Sequence, residues 1–131
     1  MNFLDTNLII RYLTNDQPEI AKRAARLIDS TKTLHVTDVV IAEVGFVLTS
    51  IYKTERSTVI NSLLAFLQKS NITVYGLDKG AVLQALILCG PSNRTSFADA
   101  MLWAAARSEG NSAVYTLDAH FPDDGLEVKG P

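Results

Sequence analysis

Four acidic residues stand out in this chain by the company they keep. Asp5 closes an apolar start, "NFLD", just before the helix-like run "TNLIIRYL". Glu43 is the only charged residue in "VVIAEVGFVL", Asp99 the only one in "FADAMLWAAA", and Asp118 ends the strand-like "SAVYTLD". A carboxylate in apolar surroundings acquires a partner or shifts toward its neutral form, and neither helical run contains a Lys or Arg. Each acid also has a plainer reading. Asp5 suits a helix N-cap, and Ser96 to Asp99 spells S-x-x-D, close to a capping box. Asp118 before "AHFPDDG" suits a turn, and Glu43 could pair with Arg11 across the core. Yet four acids on separated segments share the features of one cluster, and crowded carboxylates resist ionisation unless a cation sits among them. Oxygen-only ligands with open coordination positions suit Mg²⁺ or Mn²⁺ rather than Zn²⁺. Such a site, keeping several waters, is the arrangement for metal-assisted phosphoryl hydrolysis. His35, on a strand, and His120, in a loop, show no zinc-ligand spacing and read as structural.

The elements that must position these acids alternate along the chain. Residues 1–5 read as a short buried strand that stops at Asp5, and a packed helix follows with apolar residues at 8, 9, 10, 12 and 13. "NDQPE" is a break, with Asp16 as N-cap and Pro18 in the first turn. "EIAKRAARLIDS" sets Ile20, Ala24, Leu27 and Ile28 on one stripe of an amphipathic helix. "TLHVT" is a second strand, and residues 38–52 form a largely apolar helix that Asp38 or Thr37 caps. Ser57 opens a helix through "VINSLLAFLQKS", "NITVYGL" is a third strand, and "DKGAVLQALILCG" is a helix stopped by Gly90 and Pro91. "SFADAMLWAAARSEG" is the next helix, "SAVYTLD" a fourth strand and "LEV" a short edge strand. Strands separated by ten or more helical residues pair in parallel through right-handed crossovers. The expectation is an α/β fold with a parallel four- to five-stranded sheet flanked by helices on both faces. Ligands bind beyond the carboxyl ends of such strands, and Asp5 and Asp118, each ending a predicted strand, should share that end.

Composition narrows the class further. The 131 residues suit one domain, with 47% hydrophobic and 20% charged residues and no disordered signature. Twelve Lys and Arg against fourteen Asp and Glu give a formal net charge of −2, so nucleic-acid binding would depend on charge placement rather than on the total. The single cysteine, Cys89, excludes an intramolecular disulfide and thiolate metal cages; its neighbours Leu86, Ile87 and Leu88 mark it as a buried, inert thiol. No apolar stretch is long enough to span a bilayer and no signal peptide is visible, which leads to the expectation of a soluble cytoplasmic protein without membrane partners.

The segments "FLDTNLIIRYLTND", "IAEV", "SFADAMLWAAA" and "VYTLDAHF", in that order over the whole chain, resemble the PIN-domain ribonucleases, in particular the VapC-type toxins of type II toxin–antitoxin pairs. The resemblance implies a three-layer PIN-like fold over residues 1–131 and a Mg²⁺- or Mn²⁺-dependent endoribonuclease whose products carry 5′ phosphates and 3′ hydroxyls. By position, its acidic quartet of metal ligands falls on Asp5, Glu43, Asp99 and Asp118, with Asn7 and Thr116 as supporting polar residues. Many relatives carry an acid three residues before the position of Asp99, where this chain has Ser96. Arg11, Lys53, Arg56, Arg94 and Arg107 are candidates for phosphate contacts. The resemblance further implies an RNA substrate, a homodimer, for which helices at 20–28 and 57–67 could supply the face, and an antitoxin that blocks the acidic pocket. Two rival readings stand beside it. A haloacid-dehalogenase-type phosphatase would use Asp5 as nucleophile, but wants Asp-x-Asp where this chain has Asn7. A PIN fold could also bind RNA or a partner without cutting.

Overall fold

The computed structural model describes residues 1–90 and 92–131. Helix α1 (Thr6–Thr14) starts at once after Asp5, whose extended backbone and side chain form its N-cap. It ends at Asn15, which takes the left-handed conformation at φ 54° and donates its N–H to the Arg11 carbonyl. Helix α2 (Pro18–Ile28) has Gln17 at its N-cap, and Asp16 instead pairs with Arg11 and Tyr52. The expected cap shifts by one residue because Pro18 already sits in the first turn, where its fixed φ is pre-set for a helix. Ala21, Ala24 and Ile28 form the buried stripe of α2, while Ile20 is exposed.

Strand β1 (Leu34–Val36) leads into α3 (Asp38–Phe46), capped by the Thr37 hydroxyl accepting from the Val40 N–H at 3.2 Å. The helix expected over 38–52 does not stay α-helical. It continues as a π-helical turn over Val47–Ile51, with the Tyr52 N–H donating to the Val47 carbonyl. The Thr49 hydroxyl donates to the Gly45 carbonyl at 2.8 Å, the back-bonding by which Ser and Thr distort helices. Next come α4 (Arg56–Leu67), β2 (Ile72–Val74), α5 (Lys79–Cys89), α6 (Phe97–Ser108), β3 (Ala113–Tyr115) and β4 (Glu127–Lys129). Gly90 closes α5 at φ 50°, and the stop signal read at Pro91 lies outside the described residues.

Among the described residues, a four- to five-stranded sheet is not formed. β1 pairs in parallel with β2 (Leu34 to Ile72, Val36 to Val74), and β3 separately with β4 (Val114 to Val128). Residues 1–5 contribute one parallel bridge, Phe3 to His35, rather than a full strand. The reason is local: Asp5 caps α1, so the extended segment ends after two ladder bonds to His35. With the two pairs hydrogen-bonded separately, the common sheet end expected for Asp5 and Asp118 is not assembled, and Asp118 lies three residues beyond Tyr115, the end of β3.

One continuous core joins these elements, with Ile9, Ile28, Val36, Ile41, Val44, Leu63, Leu67, Val82 and Leu86 almost fully buried. Cys89 is buried within it, and burial pushes its thiol pKa up. Helices α3 and α6 meet unusually closely: a Cβ on Gly45 would fall 2.5 Å from Cγ of the buried Phe97 ring. On the same ring lies the Arg56 guanidinium, 4.5 Å from its centroid. At another edge, the Asp29 carboxylate accepts from Lys69 Nζ and the Tyr12 hydroxyl, each at 2.9 Å, tying the end of α2 to the end of α4.

Two outcomes follow from these contacts. Although glycine inside a helix costs about 0.5–1 kcal/mol relative to alanine, Gly45→Ala is expected to destabilise by about 1–3 kcal/mol in urea unfolding, because the new methyl group meets the Phe97 ring. Asp29 is held below the ordinary carboxylate range, first by its bond from Lys69 and next by that from Tyr12. Its folded pKa lies below its unfolded one, so its contribution is complete above about pH 4 and is lost as pH falls through the folded value. Stability against pH in Lys69→Met should show a shallower acid limb, by about 0.2–1 kcal/mol for this partly exposed pair.

Candidate active site

The two acids that begin the candidate site meet at one residue. Asp5 Oδ1 accepts the Thr6 N–H at 2.9 Å, and the Thr6 hydroxyl donates to Glu43 Oε1. Thr6 is only 5% exposed, so a buried hydroxyl on α1 fixes a carboxylate carried by α3. The partner expected for Glu43, Arg11, is engaged elsewhere: its Nη1 lies 3.2 Å from Asp16 and 2.9 Å from the Tyr52 hydroxyl.

Glu43 itself is exposed rather than buried among the apolar residues that flank it. Val39 and Phe46, one turn to either side, are 71% and 58% exposed. The apolar run around Glu43 therefore marks a helix with an uncovered apolar face as well as a buried one. Asp99 is half-buried on α6, where Ser96 N-caps the helix by accepting the Asp99 N–H at 3.0 Å. The residue standing where many relatives have an acid thus acts here as a cap. Asp118 is exposed; its Oδ1 accepts the His120 N–H at 2.8 Å, and the Thr116 hydroxyl accepts the Asp118 N–H at 3.0 Å. The plain readings of Asp5 as cap and Asp118 as turn former are both realised, and each leaves one carboxylate oxygen uncommitted by those bonds.

The donor set matches a hard divalent cation in its chemistry, since all four acids offer oxygen and none makes a salt bridge to Lys or Arg among the described residues. A formed cage is absent: among the described residues, no three Asp, Glu, His or Cys side chains stand close enough to hold a metal between them. Asn7 is exposed and lines a different cavity, of about 530 Å³, between α1 and α2 with Leu8, Arg11 and Ala24. The supporting bond expected of Asn7 is made to Glu43 by its neighbour Thr6. Nothing in the sequence marked Thr6 for this bond, since its neighbours Asp5 and Asn7 are themselves polar and its partner Glu43 is distant along the chain.

Glu43 opens onto a cavity of about 440 Å³ between α3, its π-helical turn and the start of α6, lined also by Phe46, Thr49, Arg56, Asn93 and Ser96. Of the five cations considered for phosphate contacts, Arg56 lines this cavity, whereas Arg107 is committed to the Asp124 carbonyl and the Trp103 ring.

The family model described as PIN domain matches residues 3–124 of the chain. No curated protein matches it. PIN domains are α/β proteins and in general metal-dependent nucleases, which agrees with the helix-and-parallel-strand architecture described above.

The Thr6 hydroxyl gives the site its first test. Thr6→Val should cost about 0.5–1.5 kcal/mol, the net value of a hydrogen bond whose exposed acceptor, Glu43, can turn to water, while Thr6→Ser should retain most of the stability. A double-mutant cycle with Glu43→Gln, read by chemical unfolding, should return a coupling energy well above zero.

Proposed function

The chain belongs to the PIN-domain family, and from that premise we propose that it is a Mg²⁺- or Mn²⁺-dependent endoribonuclease, the VapC-type toxin of a toxin–antitoxin pair. The observation that carries the reading is the meeting of Asp5 and Glu43 at Thr6, with no lysine or arginine bonded to either carboxylate among the described residues. Asp5, Glu43, Asp99 and Asp118 would hold the cation. A bound divalent ion lowers the pKa of its water and offsets charge on a phosphodiester.

The chain's own residues supply position. Thr6 holds one Glu43 oxygen and leaves the other available, and Asp5 likewise commits one oxygen to its cap. Ser96 starts α6 so that Asp99 stands in its first turn, where the helix N-terminus favours negative charge. Thr116 fixes the backbone at Asp118, and Asn7, one residue on from Thr6, is free to orient substrate. In this reading residues 1–131 act as one domain, in the cytoplasm, as a homodimer restrained by an antitoxin whose basic side chain would complement the acids. Among the described residues no helix is long and apolar enough to cross a membrane.

A binding-only PIN fold is the second reading, favoured by the acids' failure to form a three-member cluster among the described residues. One experiment separates the two. Purified protein incubated with total RNA should cut in Mg²⁺ or Mn²⁺, stop in EDTA, and leave 5′ phosphates and 3′ hydroxyls. Asp5→Asn and Asp99→Asn should each lose more than the roughly 10- to 100-fold typical of residues that only support metal ligands. Both variants should stay folded, with melting temperatures in EDTA close to the parent's, since asparagine also serves as a helix cap at position 5 and the helix-end charge at position 99 is worth only about 0.3–1 kcal/mol. RNA binding without metal-dependent cleavage would favour the second reading.

A further inference from the structure

Three features converge on the 440 Å³ cavity beside Glu43 that the catalytic reading leaves unused. The first is Phe46, a large aromatic side chain 58% exposed at the cavity wall. The second is the π-helical turn that follows it, which puts Thr49 and Ser50 on the same wall; such turns are rare and concentrate at functional sites. The third is Arg56, which crosses from α4 with Nε donating to the Gly90 carbonyl at 3.2 Å and Nη2 to the Thr95 carbonyl, its plane over Phe97. Those contacts lock the guanidinium in place without neutralising it, for no carboxylate forms a salt bridge to it among the described residues.

A cavity of this size, within the roughly 300–1,000 Å³ of small-ligand sites, fits a nucleotide rather than a flat protein surface. It offers an aromatic face for a base, hydroxyl and amide groups from Thr49, Ser50 and Asn93 for base edges, and a fixed cation for a phosphate. We propose that this cavity is a nucleotide subsite that takes one unstacked base of single-stranded RNA against the Phe46 ring and the adjoining phosphate against Arg56. The proposal rests on the nuclease reading and adds to it the place where one nucleotide is held, on Phe46 and Arg56; a base can enter only after leaving the stack. Glu43 lines the same cavity, so a nucleotide seated there lies beside that carboxylate. Phe46 is a positioning residue in this scheme, holding the strand without touching the reacting atoms.

The test is binding of a mixed-sequence single-stranded oligoribonucleotide carrying 2-aminopurine, followed by anisotropy and base fluorescence. It is run with Asp5→Asn protein in Mg²⁺ and with the parent protein in EDTA. Phe46→Ala in either setting should weaken binding about 5- to 150-fold, the range for losing one base–aromatic stack, and should abolish 2-aminopurine quenching, while Phe46→Trp should restore both. Because Phe46 is exposed, its removal should leave the melting temperature nearly unchanged. If Phe46→Ala binds and quenches like its parent while the parent cuts RNA, the subsite is wrong and the nuclease reading stands. If the parent neither binds nor cuts RNA, both fall. If Phe46→Ala keeps RNA binding but converts a dimer to a monomer in sedimentation, the face is a protein interface and the proposal is overturned.

Discussion

The closeness of α3 and α6 at Gly45 is the constraint on which the candidate site rests. With no side chain at 45, the Phe97 ring lies directly on the α3 backbone, and the two helices that carry Glu43 and Asp99 are pressed together. The ring's remaining surroundings are set by the same contact. Arg56 covers it from α4, and the end of α5 is tied in through the bond from Arg56 to the Gly90 carbonyl. A single aromatic side chain thus organises four helices, with a missing methyl group on one side and a guanidinium on the other. Any larger residue at 45 would meet the Phe97 ring and force α3 and α6 apart.

The second organising element is Thr6. Its position one residue inside α1 lets its N–H and its hydroxyl serve two different carboxylates, so a buried group of a few atoms links the chain's first turn to α3. This gives the N-terminal segment its function: residues 1–5 make too few ladder bonds to form a strand of their own, and the capped start of α1 defines where Asp5 points.

Much of this was legible in the sequence. Helix positions, the parallel pairing, the caps at Asp5 and Ser96, the buried Cys89 and the family all follow from spacing, turn residues and short motifs. Misreadings have a common physical cause. Isolation of Glu43 and Asp99 among apolar residues suggested burial, yet an apolar run on a helix reports only that apolar residues are there; whether a face is covered depends on what packs on it. Val39, Phe46 and Leu102 are apolar and exposed. The π-helical turn carries no residue pattern that separates it from the α-helix it continues. The role of Thr6 was hidden because its partner lies 37 residues away, and Asp16 lost its expected cap to a tertiary pairing with Arg11 and Tyr52.

The single tryptophan, Trp103, is 2% exposed on α6; its indole N–H donates to the Asp124 carbonyl and the Arg107 guanidinium lies over its ring. Arg107 in turn fits against Gly125, whose φ of 76° and bare Cα leave room for it. The C-terminal segment is therefore latched onto α6 at the one residue that dominates the protein's ultraviolet emission. Light emitted by the folded molecule carries a report on one joint, the seating of Asp124 and Gly125 against α6.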